Sequence, residues 1–210
     1  MRIAYFDCYA GASGDMILGA LLDAGLPLER LREEIAKLHL SHYALEVRQV
    51  VKQGIGGSQA QVKIDQTHHE QHHRRLSQIR EIIDQSDLAP GVKAQSTAVF
   101  TRLAQAEAKV HRTEVESVHF HEVGAMDAII DVVGSVGGLA ALGVDKIVCS
   151  PLNLGSGTLT CAHGTLPVPA PATAELTRGT PVYAGQIQGE LLTPTGTAIL
   201  TTLAAGFGPL

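Results

Sequence analysis

The sequence predicts an α/β or α+β fold, with a mixed sheet, flanking helices and a loop-rich C-terminal third. Three observations predict it. Residues 2–8 alternate in polarity and run into a glycine turn followed by apolar residues at helical spacing, the signature of a strand, a turn and a helix. Helical spacing recurs over residues 76–83, 92–110 and 123–142. The last third then breaks up, with Pro167, Pro169, Pro171, Pro181 and Pro194 set among glycines.

In chain order, the alternation over residues 2–8 reads as a buried strand, and Met16, Ile17, Ala20, Leu21 and Ala24 mark the first helix, ended by Gly25 and Pro27. A second helix fits residues 28–38. Residues 43–52 and 59–65 alternate around Gly54, Gly56 and Gly57, which predicts a strand pair with a glycine-rich loop. No apolar residue occurs over residues 67–75, so a His-rich exposed linker is expected near 66–75. Residues 146–149 read as a short buried strand stopped by Pro151, and short helices are expected over 172–177 and 195–205. The whole of residues 1–210 is read as one main body.

Composition narrows the function. The chain has 210 residues, 45% of them hydrophobic, enough for a core without covalent staples. A net charge of -5 and 4% aromatics, without a Lys/Arg cluster, argue against nucleic-acid binding. No run of eighteen apolar residues exists and Asp7 comes too early for a signal peptide, so no membrane role and a cytoplasmic location are expected. Cys8, Cys149 and Cys161 form no C-x-x-C pair and are expected to be reduced, mostly buried thiols.

Four groups of residues carry candidate chemistry. The turn holding Gly11, Ser13 and Gly14 resembles an anion-receiving loop with outward N–H groups, though it lacks the P-loop lysine. Asp7 and Asp15 at the same turn favour a bridged metal ion. In H-F-H-E, His119 and His121 would point the same way if extended, as two ligands of one ion, with Glu122 following. Asp127 and Asp131, four residues apart on an otherwise apolar helix, want a metal or a basic partner. The tract holding His68, His69, His72 and His73 suits loose metal collection. Loops containing Asn153, Gly155, His163, Thr193 and Thr195 allow close backbone approach to a ligand. For each group ordinary turn, cap or ion-pair chemistry is the competing explanation. A zinc hydrolase has suitable residue types here but no H-E-x-x-H spacing and no nucleophile elbow.

Taken together, D-x-x-x-G-A-S-G-D-M, H-F-H-E-V-G-A-x-D-A-I-x-D, N-x-G-x-G, H-G-x-x-P-V-P-A-P-A and E-L-x-T-P-T-G resemble the nickel-insertion proteins of the nickel-pincer cofactor pathway, in order and over nearly the whole chain. The resemblance implies a nickel chelatase or cyclometallase of the lyase class. Its substrates would be Ni(II) and pyridinium-3,5-bisthiocarboxylic acid mononucleotide, and its product the cofactor of lactate racemase-type enzymes. It also implies CTP with Mg or Mn, at a C-terminal nucleotide-binding part expected to lie outside this chain. On this reading His119 and His121 are transfer ligands, Glu122 or His163 is the base, and the glycine turn receives the substrate phosphate. A homo-oligomer and contact with the apo racemase-type target are expected. The alternative is a noncatalytic nickel-delivery module.

Overall fold

The computed structural model describes residues 1–65, 74–118, 120, 126–161 and 163–209. In chain order the elements are β1 (Ile3–Phe6), α1 (Gly14–Asp23), α2 (Leu28–Ala36), β2 (Tyr43–Lys52), β3 (Ile55–Ile64), α3 (Leu76–Gln85), α4 (Pro90–His111), α5 (Met126–Ala141) and β4 (Lys146–Cys149). There follow β5 (Leu152–Asn153), β6 (Gly155–Ser156), β7 (Thr158–Cys161), β8 (Gly164–Pro167), α6 (Pro171–Leu176), β9 (Val182–Tyr183), β10 (Gly189–Glu190), α7 (Pro194–Leu203) and β11 (Gly206–Phe207). The mixed α/β class and the fragmented last third are as the sequence predicts.

The chain forms two compact units. The first comprises residues 1–13, 99–118 and 144–210. Its sheet is parallel, with β4 between β1 and β11, and Ile3 opposite Lys146, Phe6 opposite Cys149. Two-stranded ribbons, β5 with β9, β6 with β10 and β7 with β8, build the loop-rich region. Phe100, Leu103, Leu152, Leu176, Ile199 and Leu200 are the buried apolar side chains of this unit that anchor it. One expectation needs correction: β1 and most of β4 are only half-buried, and Ile3 is exposed, because a three-stranded sheet has too little area to cover both faces.

The second unit comprises residues 14–98 and 119–143. Its centre is α5, whose Ile129, Ile130, Val132 and Val133 are fully buried. A helix apolar on nearly every side must be covered on nearly every side. Small residues permit this: a Cβ on Gly138 would stand 2.9 Å from Leu26 Cδ2 and 3.0 Å from Leu21 Cδ1. Leu18, Leu31, Ile35, Leu76, Ile79 and Ile83 complete the core. The hairpin of β2 and β3 pairs Tyr43 with Ile64 through to Lys52 with Ile55. Its turn is Gln53-Gly54, with φ 51° and 83°, the signature of the tight type I′ connection. Gly56 and Gly57 therefore belong to β3 and not to a loop. Asp23 of α1 ties the hairpin down by accepting from the Ser58 amide at 2.8 Å and its hydroxyl at 2.6 Å. Those bonds hold the Asp23 pKa below the usual carboxylate value.

Among the described residues, no helix is long and apolar enough to cross a membrane. Cys8, Cys149 and Cys161 are free thiols, the first two buried and the third half-buried.

Candidate functional site

In the first unit, the strand-to-turn segment after β1 is stitched to the segment before α7. The Ala12 amide donates to Leu191 O at 3.0 Å and the Thr193 amide donates to Ala12 O at 3.0 Å. This bridge brings D-x-x-x-G-A-S-G and E-L-x-T-P-T-G side by side. Gly11 has φ 77°, and a Cβ there would lie 2.0 Å from Leu191 O. A Cβ on Gly196 would lie 2.4 Å from Ala12 O. Both positions need glycine because two backbones meet.

Asn153 locks the same assembly. Its Nδ2 donates to Tyr9 O at 2.7 Å, and its Oδ1 accepts from the Gly155 and Gly185 amides at 3.1 and 3.2 Å. The side chain is buried and its polar atoms are engaged within the protein. Gly155, at φ 81°, is required by Gly189 O, which would stand 2.0 Å from a Cβ. Thr193 caps α7, its hydroxyl accepting from the Gly196 amide at 3.2 Å, and Thr195 is buried on that helix. The outward N–H groups expected at the glycine turn are corrected in part: the Gly11 amide donates to Cys8 O at 2.9 Å, and the Ala12 amide is used as above. Asn153→Ala should cost about 2 kcal/mol, because Tyr9 O and two amides lose their buried partner; urea unfolding at constant m-value checks it.

The second unit gathers acids. Asp127 and Asp131 lie on α5 and Asp15 in the first turn of α1. Burial, then the charges of Asp127 and of Asp15, push the Asp131 carboxyl from the ordinary 3.8 to about 8. Its Oδ1 is enclosed with no hydrogen-bond partner among the described residues. Gly14 makes room for it, since a Cβ there would stand 2.4 Å from Asp131 Oδ2 and 2.5 Å from Asp131 Cβ. Asp15 and Asp127 are exposed, and Asp127 Oδ1 accepts from the Ala128 amide at 2.9 Å. The arrangement is a buried acid of raised pKa, influenced by the charges of Asp127 and Asp15, against the glycine that starts α1.

Asp7, in the first unit, is exposed at the end of β1, and its charge opposes ionisation of the neighbouring Cys8 thiol. A hydrogen bond from Cys149 outweighs that and lowers the Cys8 pKa, while the same bond raises that of Cys149. His163 follows the β7 strand, and its ring packs on His111 at 5.1 Å between centroids with a 42° tilt. His111 Nε2 in turn lies 3.4 Å from Glu107 Oε2. The contact of His111 with His163 was invisible in the sequence because the two lie 52 positions apart and no spacing rule joins them. The proposed ligands His119, His121, His68, His69, His72 and His73, and the proposed base Glu122, lie outside the described residues. Phe120 between the histidines is buried, and its amide donates to Arg74 O at 3.2 Å. Among the described residues, no three His, Cys, Asp or Glu side chains stand ready around one metal position.

Comparison with known proteins agrees with the motifs. A protein of Desulfitobacterium hafniense (strain DSM 10664 / DCB-2), named pyridinium-3,5-bisthiocarboxylic acid mononucleotide nickel insertion protein, is 52% identical over 209 residues, covering 100% of this chain and 51% of its own length. A putative nickel insertion protein of Citrifermentans bemidjiense is 51% identical over 209 residues, with 100% of this chain and 54% of its own length covered. One of Dictyoglomus thermophilum is 48% identical over 204 residues, covering 97% of this chain and 52% of its own length. The chain thus spans about half the length of the curated relatives it matches. No solved structure matches it. The profile described as nickel insertion protein matches residues 4–210, and with these relatives it shows that the chain belongs to the nickel insertion protein family.

Proposed function

We propose that this chain takes part in inserting Ni(II) into pyridinium-3,5-bisthiocarboxylic acid mononucleotide, the compound in the name of its Desulfitobacterium relative. Nickel here is a substrate. The observation that carries the reading is Asp131, an acid whose pKa burial and then the charges of Asp127 and Asp15 push up to about 8, with one oxygen enclosed and unpartnered among the described residues.

The reaction needs such a group. Two thiocarboxylate sulfurs each donate a pair to nickel, one ring C–H bond breaks, its electron pair forms the Ni–C bond, and its proton goes to a base. Positive charge arriving near Asp131 offsets the burial and the neighbouring charges that raise its pKa, so the carboxylate becomes available as the metal arrives. His119 and His121 precede α5 in the chain and are proposed as transfer ligands that bring the ion to it, with Glu122 or His163 as the other candidate bases. Asn153, Gly155, Thr193 and Thr195 then act by holding the glycine turn in shape. The finished cofactor would be handed to an apo enzyme of the lactate racemase type, and the reaction class would be that of a lyase-type chelatase. CTP with Mg or Mn would, on the family resemblance, be bound by the part of the relatives that this chain does not match.

Calorimetric titration tests this. Wild type should bind Ni(II) and then the mononucleotide, and binding of Ni(II) at pH 7 should release about one proton, measured in two buffers of different ionisation enthalpy. The His119→Ala/His121→Ala variant should lose tight nickel while unfolding at the wild-type temperature. Nickel binding without proton release, and without affinity for the mononucleotide, would instead identify a delivery module.

A further inference from the structure

A groove of about 330 Å³ in the first unit, lined by Arg102, Gln105, Ala106, Lys109, Leu176 and the Glu175/Arg178 pair, belongs to none of the motifs. Arg102, Gln105, Ala106 and Lys109 follow one another at i, i+3, i+4 and i+7, so they share one face of α4. The end of α6 supplies the opposite wall. We propose that this groove binds a phosphate monoester, the phosphate of the pyridinium mononucleotide, an assignment that rests on the proposed function above.

Three features point to that ligand. The lining sets three cations, Arg102, Lys109 and Arg178, against one carboxylate, Glu175. Arg102 is held rigidly, its Nη2 donating to Leu176 O at 3.1 Å, yet its Nε is enclosed with no hydrogen-bond partner among the described residues. A guanidinium fixed through one nitrogen keeps further N–H donors that suit a phosphate oxygen. Glu175 meanwhile lies 2.6 Å from Lys109 Nζ and 3.4 Å from Arg178 Nη1. It keeps both cations over the groove and lowers the affinity for any anion that enters. The volume suits a phosphorylated sugar and not a folded partner's surface. The amides of Gly11 and Ala12, where sequence alone would put the phosphate, are already bonded.

The test uses nicotinic acid mononucleotide as the probe, with nicotinic acid riboside and inorganic phosphate as controls, titrated by calorimetry at fixed ionic strength. The mononucleotide should bind about tenfold more tightly than either control. Arg102→Gln and Arg178→Gln should each weaken it about tenfold. Glu175→Gln should tighten it about threefold, a change of sign that damage to the fold cannot produce. Arg178 and Glu175 are on the surface, so these two variants keep the test valid if Arg102→Gln unfolds. Equal affinities in wild type and variants, riboside as tight as mononucleotide, no binding at all, or inorganic phosphate as tight as the mononucleotide would each overturn the proposal. Nickel titration of the same variants separates it from the wider reading: groove variants should bind Ni(II) as wild type does, and loss of the groove result with nickel binding intact leaves that reading standing.

Discussion

Gly11→Ala should leave little folded protein at 37 °C, with a loss of about 4 kcal/mol or more relative to wild type. Two independent penalties add. At φ 77° the backbone is in a region that an L side chain enters only at a cost of about 1 kcal/mol. The larger penalty is steric, since the new methyl would stand 2.0 Å from Leu191 O and 2.3 Å from Leu191 C, and both belong to backbone that cannot swing aside. Separating them breaks the reciprocal bonds of Ala12 with Leu191 and Thr193. Gly25→Ala is the matched control. It has φ 100°, so it shares the conformational penalty, but nothing lies within 4 Å of the added carbon. Circular dichroism during thermal unfolding should show Gly25→Ala within a few degrees of wild type and Gly11→Ala largely unfolded. Similar behaviour of the two would mean that the stitch between the glycine turn and α7 does not hold the first unit together.

Much of this architecture was legible in the chain. Periodicity located α1, α2, α3 and α4, and α5 showed itself as a long run of small and apolar residues at helical period. The ribbons of the last third were not resolved, since two-residue strands such as β5 and β6 contain no repeat to detect. Their partners are chosen by glycine contacts far away in sequence, as between Gly155 and Gly189. The same reason hides the partners of Asn153, expected from sequence among the ligand-binding loops. A polar residue among glycines has the same appearance whatever it bonds to, and no spacing in the sequence marks Tyr9 and Gly185 as its partners. The acids on α5 were the opposite case. Two aspartates in a helix otherwise fit for full burial announce themselves, because burial without compensation is so unfavourable. The cationic groove left no trace, since its residues are spread over α4, the end of α6 and the turn after it at spacings that form no motif.

The unfavourable burial of one of those acids, Asp131, makes the second large effect measurable. Asp131→Asn should stabilise the second unit and remove part of its function. The wild-type carboxyl has a folded pKa of about 8 against an ordinary 3.8, so the folded state holds a proton that the unfolded state has released. Stability therefore falls as pH rises from about 4 to about 8, and above 8 the full penalty persists. At about 1.4 kcal/mol per pH unit the whole span is about 6 kcal/mol, which partial exposure of the side chain reduces to about 2–4. Asparagine keeps the shape without the charge. The variant should gain about 2–4 kcal/mol at pH 8, gain little at pH 4, and show a flatter stability profile between them, measured by urea unfolding across that range. It should also bind Ni(II) without releasing the proton expected of wild type. Unchanged pH dependence would mean that Asp131 is ionised and paired at neutral pH, and the carboxyl would then have no stored proton to exchange for a metal. A stabilising substitution that costs proton release is what a group kept for chemistry predicts, because a purely structural acid would be missed by the fold.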